Sequence, residues 1–197
     1  MKDELQLKTR DVEFLLYEVF NVDELVKNER YSHHDRETFA AVLELARDFA
    51  EQKFYPLAKP LDHNEPYLKD NKVVTIPELK NILDEYRELG FQKMSAEIAL
   101  GGMQLPFVVA QAAGAFLAAA NVSAIAYSFL TTAAANLLSK YGTISLKNRF
   151  LGPMIEGRFF GTMNLSEPQA GSSLADIKVV AKPTKSEHYL ISGTKMW

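Results

Sequence analysis

At 197 residues, with 47% hydrophobic and 24% charged residues, the chain has the make-up of an ordinary soluble globular protein. It has room for one large domain, or for one domain and part of another. A net charge of −3 leaves no basic excess for nucleic acid, and the absence of cysteine removes thiol nucleophiles, thiolate zinc sites and disulfides together.

The first residues, Met1 to Leu7, are polar and lack the apolar run of a secretory leader, so a cytoplasmic location is expected. Thr9 to Phe20 places Val12, Leu15, Leu16, Val19 and Phe20 at helical spacing, a helix short enough to need tertiary packing. His33-His34-Asp35 follows. Adjacent histidines at a helix start read as exposed or capping residues, and His63 and His188 have no ligand partner at useful spacing, so no metal is expected. Asp35 to Phe54 is the clearest amphipathic helix. Phe39, Val42, Leu43, Ala46, Phe49, Ala50 and Phe54 form one stripe, with Glu37, Glu44, Arg47, Asp48 and Glu51 opposite. Pro56 and Pro60 are expected to end it. Leu61 to Val74 reads as a polar loop. Thr75-Ile76-Pro77-Glu78 then reads as a capping box with proline in the first turn. Leu79, Ile82, Leu83, Tyr86 and Leu89 form the buried stripe of the next helix, and Gly90 stops it.

From Ile98 to Ser139 there is no Asp, Glu, Lys or Arg in 42 residues. That length raises a membrane hairpin. The run is instead rich in alanine, is broken by Gln111, Asn121 and Asn136, and has no flanking Lys/Arg clusters. It therefore reads as two helices buried in a protein core, Pro106 to about Ala119 and Ser123 to Lys140, the second stopped by Gly142, with no membrane span. The alanines serve either close helix packing or room for a bound chain, and the composition fits both. Thr143 to Phe150 reads as a short helix capped by Ser145 and closed by Gly152-Pro153, with a linker over 154–158.

After Gly157 the pattern changes to short apolar runs. Phe159 to Leu165 has strand length, and Ser166-Glu167-Pro168 stops it because proline lacks an N–H and holds its predecessor extended. Gln169-Ala170-Gly171-Ser172-Ser173 supplies a glycine and two hydroxyls. Such a stretch is either a plain turn or a loop that offers N–H and O–H donors to a polar or anionic ligand. Val179-Val180-Ala181 and Tyr189 to Ser192 read as two strands joined by Lys185-Ser186-Glu187, a hairpin that needs more strands or a packing partner. The chain ends at Trp197, the look of a truncated piece. The expected class is α+β: an extension over 1–34, a helical bundle domain over 35–157, and the start of a β-sheet domain over 158–197.

Three blocks carry a resemblance. Met163-Asn164-Leu165-Ser166-Glu167-Pro168-Gln169-Ala170-Gly171-Ser172 resembles the flavin-binding strand and loop of the acyl-CoA dehydrogenases. Members usually carry Thr at the place of Ser166, Cys at that of Asn164 and Asp at that of Ser173. Ile191-Ser192-Gly193-Thr194-Lys195-Met196-Trp197 resembles the family's next strand, and Gly101-Gly102-Met103-Gln104-Leu105 lies where the family has a Gly-Gly-x-Gly-Leu turn. The early segment from Arg10 to Leu25 resembles the N-terminal extension of a longer branch. That branch includes methylthiopropanoyl-CoA and broad-range fatty acyl-CoA dehydrogenases.

The resemblance implies α,β-dehydrogenation of acyl-CoA thioesters with FAD, electron-transfer flavoprotein as acceptor and a homo-oligomer at full length. By position it implies that Met163, Leu165, Ser166, Gly171, Ser172 and Trp197 contact the flavin cofactor, with Ser172 also near substrate, and that the two uncharged helices line the acyl slot. It assigns no catalytic residue here: the general base of the family is a glutamate of a later helical domain, and Glu167 reads as structural. Two other readings stand beside it, an oxidase-like flavoenzyme of the same superfamily and a non-catalytic helical interaction module or remnant. As an isolated piece, the chain is expected to be inactive.

Overall fold

The computed structural model describes residues 7–186 and 188–196, which divide into two compact units at Gly161/Thr162. Trp197 and Glu187, named above as a flavin contact and a turn residue, lie outside the described residues.

The uncharged segment supplies the centre of the first unit. Helix α5 (Phe107–Ala120) packs along α2 (Arg36–Phe49), and Val109, Ala113, Phe116 and Leu117 are sealed from solvent. Asp35 caps α2, its Oδ1 accepting from the Thr38 N–H at 2.7 Å. Phe49 and Phe54 meet Tyr86 and Phe91 with ring centroids 5.2–6.4 Å apart, an aromatic cluster beneath α5. The first helix is α1 (Thr9–Glu13), which widens into a π turn over Phe14–Val19. Val12, Leu16 and then Val22 are buried, whereas Leu15, Val19 and Phe20 are exposed. The wide turn, closed by Phe20 N–H to Leu15 O at 2.9 Å, rotates the later residues of the expected stripe off the core.

Neither Pro56 nor Pro60 ends the second helix. A π turn over Ala50–Phe54 inserts one residue, and α3 (Tyr55–His63) continues the rod. After that wide turn Pro56 stands at the start of a new helical segment, where a missing N–H costs least. Asn64 Nδ2 then closes the far end on the Pro60 carbonyl at 2.8 Å. The expected loop that follows holds a small hairpin, β1 (Tyr67–Lys69) and β2 (Lys72–Val74). Asp70 and Asn71 turn it with φ of +51° and +59°, the left-handed pair that a two-residue hairpin loop requires. In α4 (Pro77–Glu88) the cap is Ile76 without a side-chain bond, so Thr75 forms no capping box and the proline alone presets the first turn. Gly90, at φ +82°, stops α4 as expected.

Helix α6 (Val122–Tyr141) departs from the sequence reading of full burial. Ala124, Ser128, Thr131 and Ala135 are buried on one side, while Val122, Phe129, Leu137 and Tyr141 are 58–71% exposed. By length and composition alone it could cross a membrane, with mean hydropathy 1.3 over its most apolar 18-residue window. Its hydroxyls Ser128 and Thr131 nonetheless lie on the packed side, bonded to protein. Asn121, 4% exposed, joins α5, α6 and the α2–α3 rod. Its Oδ1 accepts from Ala124 N–H at 3.0 Å, and its Nδ2 donates to Phe54 O at 3.1 Å.

Beyond α6, Thr143 rather than Ser145 caps α7 (Ile144–Leu146), its hydroxyl accepting from Leu146 N–H. A π turn over Lys147–Leu151 leads into α8 (Gly152–Ile155), so Gly152-Pro153 starts a helical turn instead of closing one. Gly161 ends the unit against α6. Its N–H donates to Thr131 Oγ1 at 3.0 Å, and a Cβ there would lie 2.6 Å from the Ala134 Cβ.

In the second unit β3 (Val180–Pro183) and β4 (Tyr189–Ser192) pair antiparallel, Val180 opposite Ser192 and Pro183 opposite Tyr189, close to the predicted hairpin. The expected strand from Phe159 to Leu165 is absent among the described residues. β3 and β4 pair only with each other, and a strand cannot form without a neighbour along its length.

Replacing Asn121 by Ala removes a helix cap and leaves the buried Phe54 carbonyl without its donor, for an expected loss of about 2–3 kcal/mol. Asn121→Ser keeps a capping hydroxyl and loses the donor to Phe54 without adding a buried charge. Urea unfolding of the three proteins should rank Asn above Ser and Ser above Ala.

Candidate functional site

Two arrangements carry chemistry, one in each unit. In the second unit the centre is Glu167. A tight turn over Pro168-Gln169 is closed by paired backbone bonds between Glu167 and Ala170, at 2.9 and 3.0 Å. This turns the carboxylate inward, where only 2% of the side chain is exposed. Oε2 accepts from Lys178 N–H at 2.6 Å and Gln169 Nε2 at 2.7 Å; Oε1 accepts from Val179 N–H at 3.0 Å and Lys195 Nζ at 2.9 Å. The Lys178 N–H and the Lys195 ammonium lead in holding its pKa down to about 2, against the opposing effect of desolvation. A carboxylate so engaged stays ionised and is a poor proton acceptor.

The same lysine donates to Leu165 O at 2.9 Å, and Met196 N–H donates to Ser166 O at 2.8 Å. The Met163-to-Ser166 backbone is thereby fixed to the segment after β4. Met163 and Leu165 present 44% and 43% of their surface, Ser166 is half-buried, and Gly171 and Ser172 are exposed. The Ser166 and Ser172 hydroxyls have no protein partner among the described residues. Leu165 and Glu167 thus converge on Lys195, with Ser166 held by the adjacent Met196, while Gly171 and Ser172 extend beyond the turn. Lys195 lay inside a quoted block, but its role was not legible: pairing across 28 residues leaves no local spacing signal.

In the first unit a groove of about 590 Å³ runs between α5 and α6. Phe107, Gly114, Ala118, Val122, Ile125 and Phe129 are among its walls, and among the described residues no charged one lines it. Small side chains therefore both pack the helices and leave a trough. At its floor Tyr86 Oη and Ser128 Oγ are 2.8 Å apart, Ser128 Oγ meets Gln92 Oε1 at 2.6 Å, and Gln92 Nε2 meets Thr132 Oγ1 at 3.0 Å. Burial pushes the Tyr86 phenol up to about 12, so it stays protonated. A smaller, more polar cavity of about 210 Å³ adjoins behind Gln92 and Thr132, where Arg30, Glu97 and Lys140 lie. Sequence reading missed this floor. Ser128, Thr131 and Thr132 interrupt the uncharged run at helical spacing, a visible signal; Gln92, 36 residues from Ser128, had none.

Residues 36–158 match the family described as acyl-CoA dehydrogenase, N-terminal domain. The 3-methylmercaptopropionyl-CoA dehydrogenase of Ruegeria pomeroyi is 33% identical over 192 residues, covering 98% of this chain and 33% of that protein. The mitochondrial isobutyryl-CoA dehydrogenase of Dictyostelium discoideum is 29% identical over 152 residues, covering 77% of this chain and 33% of its own length. Among solved structures, butyryl-CoA dehydrogenase from Megasphaera elsdenii superposes with a TM-score of 0.66 at 27% identity, over 80% of this chain and 39% of that one. The chain thus spans about a third of the length of these relatives.

Glu167 generates a pH expectation. Its folded pKa is depressed to about 2 from an ordinary 4.5. The stabilisation it gives is complete above pH 4.5 and is lost as pH falls through 2. Exchange protection at the Lys178 and Val179 amides should decline across that window, and in Glu167→Gln it should be weak at every pH.

Proposed function

Because the chain belongs to the acyl-CoA dehydrogenase family, we propose that the protein it forms is an FAD-dependent acyl-CoA dehydrogenase that removes hydrogen from the α and β carbons of an acyl-CoA thioester. The observation that carries this is the uncharged groove of about 590 Å³ between two alanine-rich helices, shaped for an apolar chain. The names of its relatives point the same way, to short and substituted acyl-CoA substrates.

The loop of the second unit fits a flavin. Met163 and Leu165 offer exposed apolar surface on either side of Ser166, whose hydroxyl has no protein partner among the described residues. In this reading Met163 and Leu165 lie along the ring, the Ser166 hydroxyl donates to it, and Gly171 and Ser172 meet the cofactor or the CoA arm. Trp197 is the further proposed ring contact. FAD, when bound, supplies the hydride acceptor for the β-carbon. Lys195 and Glu167 hold the Leu165–Ser166 backbone in place, so the loop binds through a preset frame. The α-proton needs a base. No carboxylate lines the groove among the described residues, and all four bonds of Glu167 are spent within its loop, so the base is assigned outside this chain. Electron-transfer flavoprotein as acceptor and a homo-oligomeric assembly belong to the same proposal.

The second reading is a helical interaction module. The exposed outer side of α6, with Val122, Phe129, Leu137 and Tyr141, favours it, because so much apolar helix surface calls for a covering partner.

The test is anaerobic flavin bleaching of the full-length protein, loaded with FAD, by a short, a medium and a long acyl-CoA. Bleaching by at least one is expected; none by any of the three overturns the dehydrogenase reading in favour of the module. Residues 1–197 alone should be slower by at least about 10²–10⁴, the usual loss for a missing general base. Ser166→Ala should retain FAD, since one hydroxyl bond is worth only about 0.5–1.5 kcal/mol, yet alter the flavin spectrum and its reduction rate.

A further inference from the structure

The floor of the groove is a chain of hydrogen bonds with a direction. The 2.6 Å contact between Ser128 Oγ and Gln92 Oε1 has the length of an O–H···O bond, and the 3.0 Å contact from Gln92 Nε2 to Thr132 Oγ1 that of an N–H···O bond. The amide therefore presents its oxygen to Ser128 and its nitrogen to Thr132. Ser128 spends its only proton on Gln92, so the bond between Tyr86 and Ser128 runs from the phenol. Donation proceeds from Tyr86 to Ser128, on to Gln92 and on to Thr132. It ends there. The Thr132 hydroxyl hydrogen and the second amide hydrogen of Gln92 have no acceptor among the described residues, and both side chains line the groove. Neighbouring Thr131 differs, since its hydroxyl donates back to Tyr127 O at 2.6 Å.

Two donors at the floor of the trough, whose other polar lining residues Ser95, Gln111 and Asn136 are half-buried or exposed, distinguish one tail from another. A hydrocarbon tail that fills the trough strips water from both and gives nothing back; an acceptor atom replaces the lost bond. Among the described residues no cation lines the groove, Arg30 and Lys140 lying in the adjoining cavity that Gln92 and Thr132 also border, so an acceptor within the groove must be neutral. We infer that this groove selects acyl tails bearing a neutral acceptor atom, an ether, hydroxyl or carbonyl oxygen or its sulfur counterpart, through the free donors of Thr132 and Gln92. This rests on the acyl-groove reading above and adds to it a substrate class.

The test uses the full-length protein with FAD and four thioesters. They are octanoyl-CoA and its analogues with oxygen in place of the fifth, sixth or seventh methylene, all remote from the reacting carbons. At least one oxygen analogue should exceed octanoyl-CoA in kcat/KM by roughly 3- to 10-fold, the weight of one neutral hydrogen bond. Thr132→Val, of equal size, removes one of the two donors and should lower that ratio, the double variant Thr132→Val with Gln92→Met should bring it to about one, and Thr132→Ser should restore it. Equal use of all four by the unmodified protein, or a preference undiminished in the Thr132→Val, Gln92→Met double variant, overturns the inference while the acyl groove stands. Failure of all four to reduce the flavin removes the acyl-groove reading and this inference with it. Comparing variants on the same substrates cancels any electronic effect of the oxygen on the chemistry.

Discussion

One constraint governs this structure: 42 consecutive residues without a charge must leave water, and only about a third of them are buried inside the described chain. Helix α5 meets the demand by lying against α2 and the aromatic cluster of Phe49, Phe54, Tyr86 and Phe91. Each fully buried phenylalanine, such as Phe39, Phe54 and Phe116, contributes on the order of 1.5–3 kcal/mol through lost apolar exposure. Helix α6 has only one such side. Its polar positions, Ser128, Thr131 and Thr132, turn toward protein while large apolar ones stay outside, the reverse of an ordinary surface helix. The groove is a consequence. Two small-residue helices meeting at Asn121 close on one flank and leave a trough on the other.

The second unit is organised by polar bonds because it has almost no core. Every residue of β3 and β4 is exposed, and a bare two-stranded hairpin is marginal in water. The Glu167 carboxylate substitutes for hydrophobic packing by gathering two backbone N–H groups, an amide and an ammonium around a single turn. Such a hub is stiff. Removing any partner leaves a desolvated charge short of a bond, which costs more than the bond contributes when made. The loop it braces is the one whose apolar side chains and free hydroxyl the proposed flavin would meet. Rigidity there has a use, since a preset surface loses less entropy on binding.

The two sites answer different chemical demands with the same economy of charge. Among the described residues the groove has no ionic group in its lining and holds the donors of Thr132 and Gln92 at its floor, so the selection inferred for it is by shape and one acceptor. The loop concentrates charge on a buried carboxylate and leaves the exposed positions, Met163, Leu165, Gly171 and Ser172, neutral. Among the described residues neither arrangement contains a carboxylate free to act as a base.

Much of this was legible by periodicity. The stripe from Phe39 to Phe54, the stop at Gly90, the helices near Pro106 and Ser123 and the late hairpin follow from patterns spanning a few residues, where the backbone dictates which side chains share a face. The signature around Ser166-Glu167-Pro168 likewise led to the family. What failed was decided by neighbours distant in sequence. Pro56 and Pro60 read as breakers until a wide turn absorbed the first, and Phe159 to Leu165 had the composition of a strand but no strand to pair with. Helix α6 read as buried because its composition is apolar on every side; burial needs a second surface, which composition cannot supply. The floor of the groove joins Tyr86, Gln92, Ser128 and Thr132 from separate elements, and the turn at Glu167 is clamped by Lys178, Val179 and Lys195. Sequence determined the kinds of residue available. The direction of each hydrogen bond, and therefore which donors remain free, was settled only when tertiary contact consumed the others.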